Sequence, residues 1–331
     1  NGAAANSSRL PGKGNRNGHA NSNGHAIKGD PLERAILRIA HLRSLGDAEK
    51  LFMARLKGVL LQQREKILAR AEKHGINVNI EDLVPSAEGE ARWMFADLAP
   101  VMLTLISESG ARALRRLGFQ EENPTTRSYV LGDGITEKRR RISIAALFSS
   151  IGNSRIAKFL ETHFFSHLVD GVGVTISRLR DVVSQFKEGI GRGEGVGELI
   201  GRIQGMPEFG ELRAETIART EVIGAVNLGQ MEAFRATDTP MKSWLSTRDG
   251  DRVRQSHQDV DTTTSADPIK TEDLFHLSEP DRGEADAMYP GDPELPGWGA
   301  INCRCSLVPE EAPQRRAWVE ACKRELAEAM T

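Results

Sequence analysis

The chain has 331 residues, with 44 Lys and Arg against 46 Asp and Glu, for a net charge of −2. That balance excludes a protein held on nucleic acid by a global positive field, and leaves only local basic patches. The 39% hydrophobic and 27% charged fractions lie in the range of soluble proteins. No apolar run approaches the roughly 18–20 residues of a membrane span, so no membrane partner is expected. Three cysteines make no disulfide framework, and an odd count suits a reducing compartment.

Residues 1–30 are rich in Asn, Gly, Ser and Ala, and Asn-Gly-His-Ala occurs at both 17–20 and 23–26. Such a segment cannot bury enough apolar area to offset chain entropy, so it reads as a flexible linker. His19 and His25 then belong to a solvated tail rather than to a metal site. The first residue is Asn1 rather than Met, which suggests a chain cut from a longer polypeptide or trimmed. No signal peptide is expected, because the first apolar cluster follows Pro31.

At Asp30–Pro31 the pattern changes: Asp30 is placed to cap a helix and Pro31 to take its first position. Leu32, Ile36, Ile39 and Ala40 recur at helical spacing, and Leu51 to Ala71 predicts a second helix closed by His74–Gly75. A third is predicted from about Ala87 to Leu117, with Pro100 expected to kink or divide it. Residues 31–120 are therefore read as a helical region with antiparallel packing. Residues 121–194 are read as a helical stalk: a connector at Asn123–Pro124 and Gly132–Asp133–Gly134, then helices near 138–150, 154–169 and 174–188. The basic run Lys138 to Arg141 reads as one solvated turn. Gly189, Gly191, Gly193, Gly195 and Gly197 alternate without forming a phosphate-binding pattern, and predict a hinge and domain boundary near 190–197.

Residues 211–236 predict a strong helix. Ala214, Ile217, Ala218, Ala225 and Leu228 share one face with Glu221 in its middle, while Val222, Ile223 and Val226 make a second apolar face that includes Arg219. A helix packed on both sides would require each charge to find its own partner elsewhere in the fold. After Pro240, Met241 to Thr247 reads as a strand carrying Trp244, and Asp249–Gly250 as a turn. A short helix capped by Asp251 should carry Arg252, Arg254 and His257. Residues 262–300 are polar and rich in Pro and Gly, a loop too long to be a neutral connector. Cys303 to Val308 predicts a last strand, with Cys303 and Cys305 on one face and Arg304 on the other. An amphipathic helix over Gln314 to Met330 closes the chain, carrying Trp318, Cys322 and Leu326.

An Arg219–Thr220–Glu221 helix, a Trp244 strand, Asp251-x-Arg-Val-Arg-x-x-His257 and its neighbours Arg252 and Arg254, Tyr289–Pro290–Gly291 and Asn302–Cys303–Arg304–Cys305 follow in order. This series resembles the phage Mu F-like head morphogenesis family over about residues 195–310. The resemblance implies an α+β chain: a largely helical N-terminal region, then a small α+β Mu F-like domain with a short sheet at 195–310 and a C-terminal helix at 311–331. It further implies a minor head protein of the virion, present in few copies, associated with the portal and in some relatives packaged in the head or fused behind the portal protein. The implied partners are the portal protein, other head proteins and, as a further candidate, phage DNA. The implied locations are the phage head and, during assembly, the host cytoplasm.

Three chemical arrangements stand beside a structural one. His257, Cys303 and Cys305, with His276, invite a zinc site, although Cys-x-Cys is tighter than the usual spacer. A Cys303 or Cys305 thiol with His257 as base lacks any mark of an oxyanion hole, and Arg219, Glu221, Ser246 and Thr247 lack the geometry of nucleotide transfer. The structural reading packs the cysteines as small hydrophobes, bonds His257 to nearby backbone and uses Arg252, Arg254 and Arg304 as partners for Glu221, Asp249 or Asp251. The expectation is therefore no catalytic residue, no cofactor and no metal, with the motif residues acting as internal tethers.

Overall fold

The computed structural model describes residues 30–123, 128–131, 141–148, 153–247 and 253–331. Helix α1, Pro31–His74, runs unbroken for 44 residues where the pattern predicted two helices. Leu32 N donates to Asp30 Oδ1 at 2.9 Å, which fixes the expected start. Gly46 does not break the helix: a lone glycine costs roughly 1 kcal/mol against Ala, and buried Leu45, Phe52, Leu56 and Ile67 on the same helix outweigh it.

A short 3-10 turn and α2 (Ile80–Leu83) lead to α3, Ala87–Arg116, whose first turn is capped by Ser86 accepting from Gly89 N at 3.1 Å. Pro100 lies inside α3 without dividing it. Pro100 and Ala96 are both exposed, so the Ala96 carbonyl that loses its helical partner faces water. Strands β1 (Phe119–Asn123), β2 (Ser128–Leu131) and β3 (Arg141–Ser143) then form an antiparallel sheet where a connector and helix were expected. Most of the basic run, Lys138 to Arg140, lies outside the described residues. Helix α4 (Ile144–Leu147) follows, and α5 (Ser154–Lys158), a π-helical turn (Phe159–Phe164) and α6 (Phe165–Ile190) form one continuous run.

The alternating glycines make a tight turn into α7, Val196–Gln204. Glu194 folds against Gly189, where a Cβ would come within 2.1 Å of it, and pairs with Arg202 at 2.8 Å. Helix α8 spans Glu211–Ala236, as the sequence predicted. It is buried on every side from Glu221 to Phe234, packed against α3 and against the C-terminal segment. At Gly229 a Cβ would come within 2.2 Å of the Ile106 carbonyl oxygen of α3, so the two helices meet backbone to backbone.

The C-terminal segment comprises β4 (Met241–Leu245), α9 (Gln255–Ala266), β5 (Ile269–Lys270), β6 (Phe275–Glu279), β7 (Gly283–Ala287), α10 (Gly297–Ala300), β8 (Ser306–Pro309) and α11 (Ala312–Glu328). Strands β5, β4 and β8 form an antiparallel sheet in that order, and β6 with β7 a separate hairpin. The region 262–300 is thus not one structureless loop. Helix α9 begins at Gln255, with Arg254 as its cap residue and no side-chain cap. Asp249, Asp251 and Arg252 lie outside the described residues.

The fold class is α+β with a helical N-terminal region. One hydrophobic core runs from Leu37 of α1 to Cys322 of α11. No described helix is long and apolar enough to cross a membrane.

Candidate functional site

The motif residues converge on α8 and on the segment before β8. Asn302 takes a left-handed conformation (φ 57°), which Asn tolerates better than most side chains. Its N–H donates to Thr220 Oγ1 at 3.3 Å. The cysteines precede β8 rather than lying within it, yet both turn inward as strand alternation predicted. Arg304 turns the other way, to Glu49 of α1 at 2.9 Å. Asn227 Nδ2, which the sequence did not single out, donates to the carbonyls of Pro290 (2.9 Å) and Cys305 (3.0 Å). It ties the Tyr-Pro-Gly turn and the Cys-Arg-Cys segment to α8. Gly291 in that turn has φ 77° and lies against Gly224, whose nitrogen a Cβ at position 291 would approach to 2.9 Å. Only glycine fits both demands.

His257 Nδ1 lies 3.4 Å from Cys305 Sγ and 3.7 Å from Cys303 Sγ. All three side chains are buried. The expected backbone partner of His257 is not found among the described residues; its Nε2 is buried without one. Trp244 packs its ring edge-on to His257 with centroids 5.3 Å apart. The hydrogen bond with the Cys305 thiol, followed by the nearby His257, holds the Cys303 thiol well below its ordinary pKa against the opposing effect of burial. Burial, and then Cys303, push Cys305 the other way. A cavity of about 450 Å³ opens beside them, lined also by Arg219, Arg254, Asn302 and Arg304. Two sulfurs and one imidazole nitrogen within 4.8 Å of one another suit a thiophilic ion such as Zn²⁺, with the cavity leaving room for a fourth ligand.

The charged motif residues find partners other than those expected. Arg219 does not reach across the fold but pairs with Glu215, one turn earlier on its own helix. Glu221 is met by His167 (Nδ1 to Oε1, 2.7 Å) and His163 (Nε2 to Oε2, 3.7 Å), not by Arg254 or Arg304. Arg254 donates to the Ile301 carbonyl. His276 lies apart on the exposed hairpin, 2.9 Å from Asp286, and is not part of the cysteine cluster.

The most saturated group of the module is Asp261 of α9, which the sequence did not flag. It accepts from Ser246 N (3.2 Å), Ser246 Oγ (2.6 Å), Arg38 (3.1 Å), Ser265 Oγ (3.2 Å) and Arg34. Ser246, a candidate for nucleotide transfer on sequence grounds, is fully buried in this network.

An α8-centred α+β module, with Glu221, Trp244, His257, Cys303 and Cys305 of its motif buried, is the class that the fold defines. Residues 180–308 match the sequence profile of the family described as Phage Mu protein F like protein, so the C-terminal region carries a Mu F-like domain. The uncharacterized protein YqbB of Bacillus subtilis (strain 168) is 32% identical over 109 residues, covering 32% of this chain and 33% of that protein. The match therefore spans about a third of either chain. No solved structure matches.

Proposed function

We propose that the protein is a phage head-morphogenesis protein that acts as a minor, portal-associated assembly component of the virion. The observation that carries this reading is the Mu F-like match at 180–308, which falls on a module whose described motif residues serve mainly as internal tethers. Arg304 of the Cys-Arg-Cys segment is engaged by Glu49 of α1, which favours the tether role for that residue over an exposed basic patch for DNA. The domain plan that goes with this reading is a linker at 1–30, helical contact regions at 31–120 and 121–194, the Mu F-like domain at 195–310 and a closing helix at 311–331. The test is co-sedimentation of the purified chain with assembled portal rings of the same phage. Pelleting with the rings at substoichiometric copy number supports the proposal; a chain that stays in the supernatant and is missing from virions defeats it. Binding to phage DNA that weakens steeply with salt would place DNA among its partners.

One observation favours a second reading, a metal- or thiol-dependent activity: the buried His257–Cys303–Cys305 triad opening on a cavity. Stoichiometric zinc in the untagged protein, lost in Cys303→Ser, would support it, and a folded, metal-free protein whose Cys303 resists thiol alkylation would defeat it.

A further inference from the structure

The best-placed cluster outside the cysteine pocket lies between the π-helical turn, α6 and α8. His163 and His167 stand one helical turn apart with ring centroids 4.0 Å from each other, and Glu221 of α8 faces both. One donor atom from each lies within 4.8 Å of the other two. Glu221 is 4% exposed, and its Oε2 is buried with no hydrogen-bond partner among the described residues. A buried carboxylate oxygen aimed at an imidazole 3.7 Å away, outside hydrogen-bond range, is costly unless something else fills the gap. His163 sits inside the π-helical turn, a local irregularity that recurs at ligand sites and that here sets His163 beside His167. His163 lines one cavity of about 320 Å³, while His167 and Glu221 line another of the same size. The cluster therefore has room for a further ligand from solvent.

From this geometry we infer a divalent-cation site formed by His163, His167 and Glu221. Two imidazole nitrogens and one carboxylate oxygen select Zn²⁺, Ni²⁺ or Co²⁺ over Mg²⁺ and Ca²⁺, which take oxygen donors. Ligands at about 2.0–2.1 Å in a tetrahedron stand roughly 3.3 Å apart. His163 Nε2 lies 3.7 Å from Glu221 Oε2, within a small adjustment of that value, while His167 Nδ1 is hydrogen-bonded at 2.7 Å to the other oxygen, Oε1, so that bond must open for Oε2 to serve both imidazoles. Binding displaces the proton that His167 Nδ1 shares with Glu221, and water takes the remaining position. The site is distinct from the cysteine triad and carries no sulfur. It would clamp the π-turn and α6 onto the family-motif helix.

Co²⁺ titration of the full, untagged chain tests the inference, because oxygen and nitrogen ligands give only weak visible d–d absorption while thiolates add an intense near-ultraviolet band. The expected result is a visible Co²⁺ spectrum whose apparent affinity falls at least tenfold in His167→Ala. In His276→Ala, which removes an exposed histidine of similar surroundings, it should be unchanged. His167 is half exposed, so the variant should fold, as circular dichroism will show; His167→Gln replaces it if it does not. Equal affinity in wild type and the His167 variant overturns the inference, as does a spectrum showing only the sulfur band, or no visible band at millimolar Co²⁺.

Discussion

Two polar clusters meet at Trp244, and they are built on opposite principles. The Trp244 carbonyl accepts from Arg34 at 3.0 Å within the Asp261 network, while its ring lies edge-on to His257 of the cysteine pocket. Asp261 is fully buried and surrounded by donors from α1, from Ser246 just after β4 and from its own helix. Its charge is compensated in place by Arg34 and Arg38, although Arg34 Nε and Nη1 find no hydrogen-bond partner among the described residues. Among the described residues, His257 instead keeps one nitrogen without a hydrogen-bond partner beside a cavity. Satisfied buried charge holds segments together; under-satisfied polar groups next to open space are where a ligand gains most by binding. Sequence motifs marked the second cluster and passed over the first.

The contrast can be broken most severely at the saturated end. Asp261→Ala strands Arg34 without its main partner and should lower stability by roughly 3–5 kcal/mol, read as a shifted urea midpoint. A loss below about 1 kcal/mol would show that the network is not a tether.

The next largest effect tests the residue that joins the two clusters. His41, on α1 with Arg34 and Arg38, donates from Nε2 to the Arg304 carbonyl between the two cysteines at 3.1 Å. Burial, then Arg116, holds its pKa down to about 3, so it stays neutral in the folded protein well into acid. Unfolded, it takes a proton near pH 6.5. The unfolded chain therefore binds more protons below that value, and stability should fall by roughly 1.4 kcal/mol per pH unit as pH drops from about 6.5 toward 3. His41→Gln keeps a donor without the titration, and its stability curve should be flatter than wild type over pH 6.5 to about 4.5. Parallel curves would refute the assignment.

Cys303→Ser should cost less, about 1–2 kcal/mol, because one buried sulfur contact is lost while the backbone tethers through Asn227 remain. Thermal melting with and without Zn²⁺ sharpens the comparison. A metal-dependent rise seen in wild type and absent in the variant would mark the pocket as a ligand site. Arg254→Ala, whose bond to Ile301 is exposed, should fall within about 0.5 kcal/mol of wild type by the same melts.

Much of the module was legible because its signals are local. The span of α8, its burial on both faces, and the inward turn of Cys303 and Cys305 all follow from periods of 3.6 and 2 read over short windows. The partners were not legible, because contacts such as Arg34 to Asp261 join residues 227 apart that carry no mutual pattern. The sequence marks Glu221 as a charge in need of a partner and offers Arg252, Arg254 and Arg304 of the same motif, whereas His163 and His167 lie more than fifty residues upstream. Strands β1 to β3 escaped notice because Phe-Gln-Glu-Glu-Asn is polar and the flanking Asn-Pro and Gly-Asp-Gly signals outweighed it.

The long reach of the α1 tether bears on how the chain acquires its fold during synthesis. At roughly 5–20 residues per second, Asp261 leaves the ribosome about 10–45 s after Arg34. Through that interval the first helix carries guanidinium groups whose destined carboxylate does not yet exist. Closing so long a loop comes late and is entropically slow. Nascent α1 is thus a basic, half-apolar helix whose carboxylate partner is made later, and the order of translation leaves it uncovered for that interval.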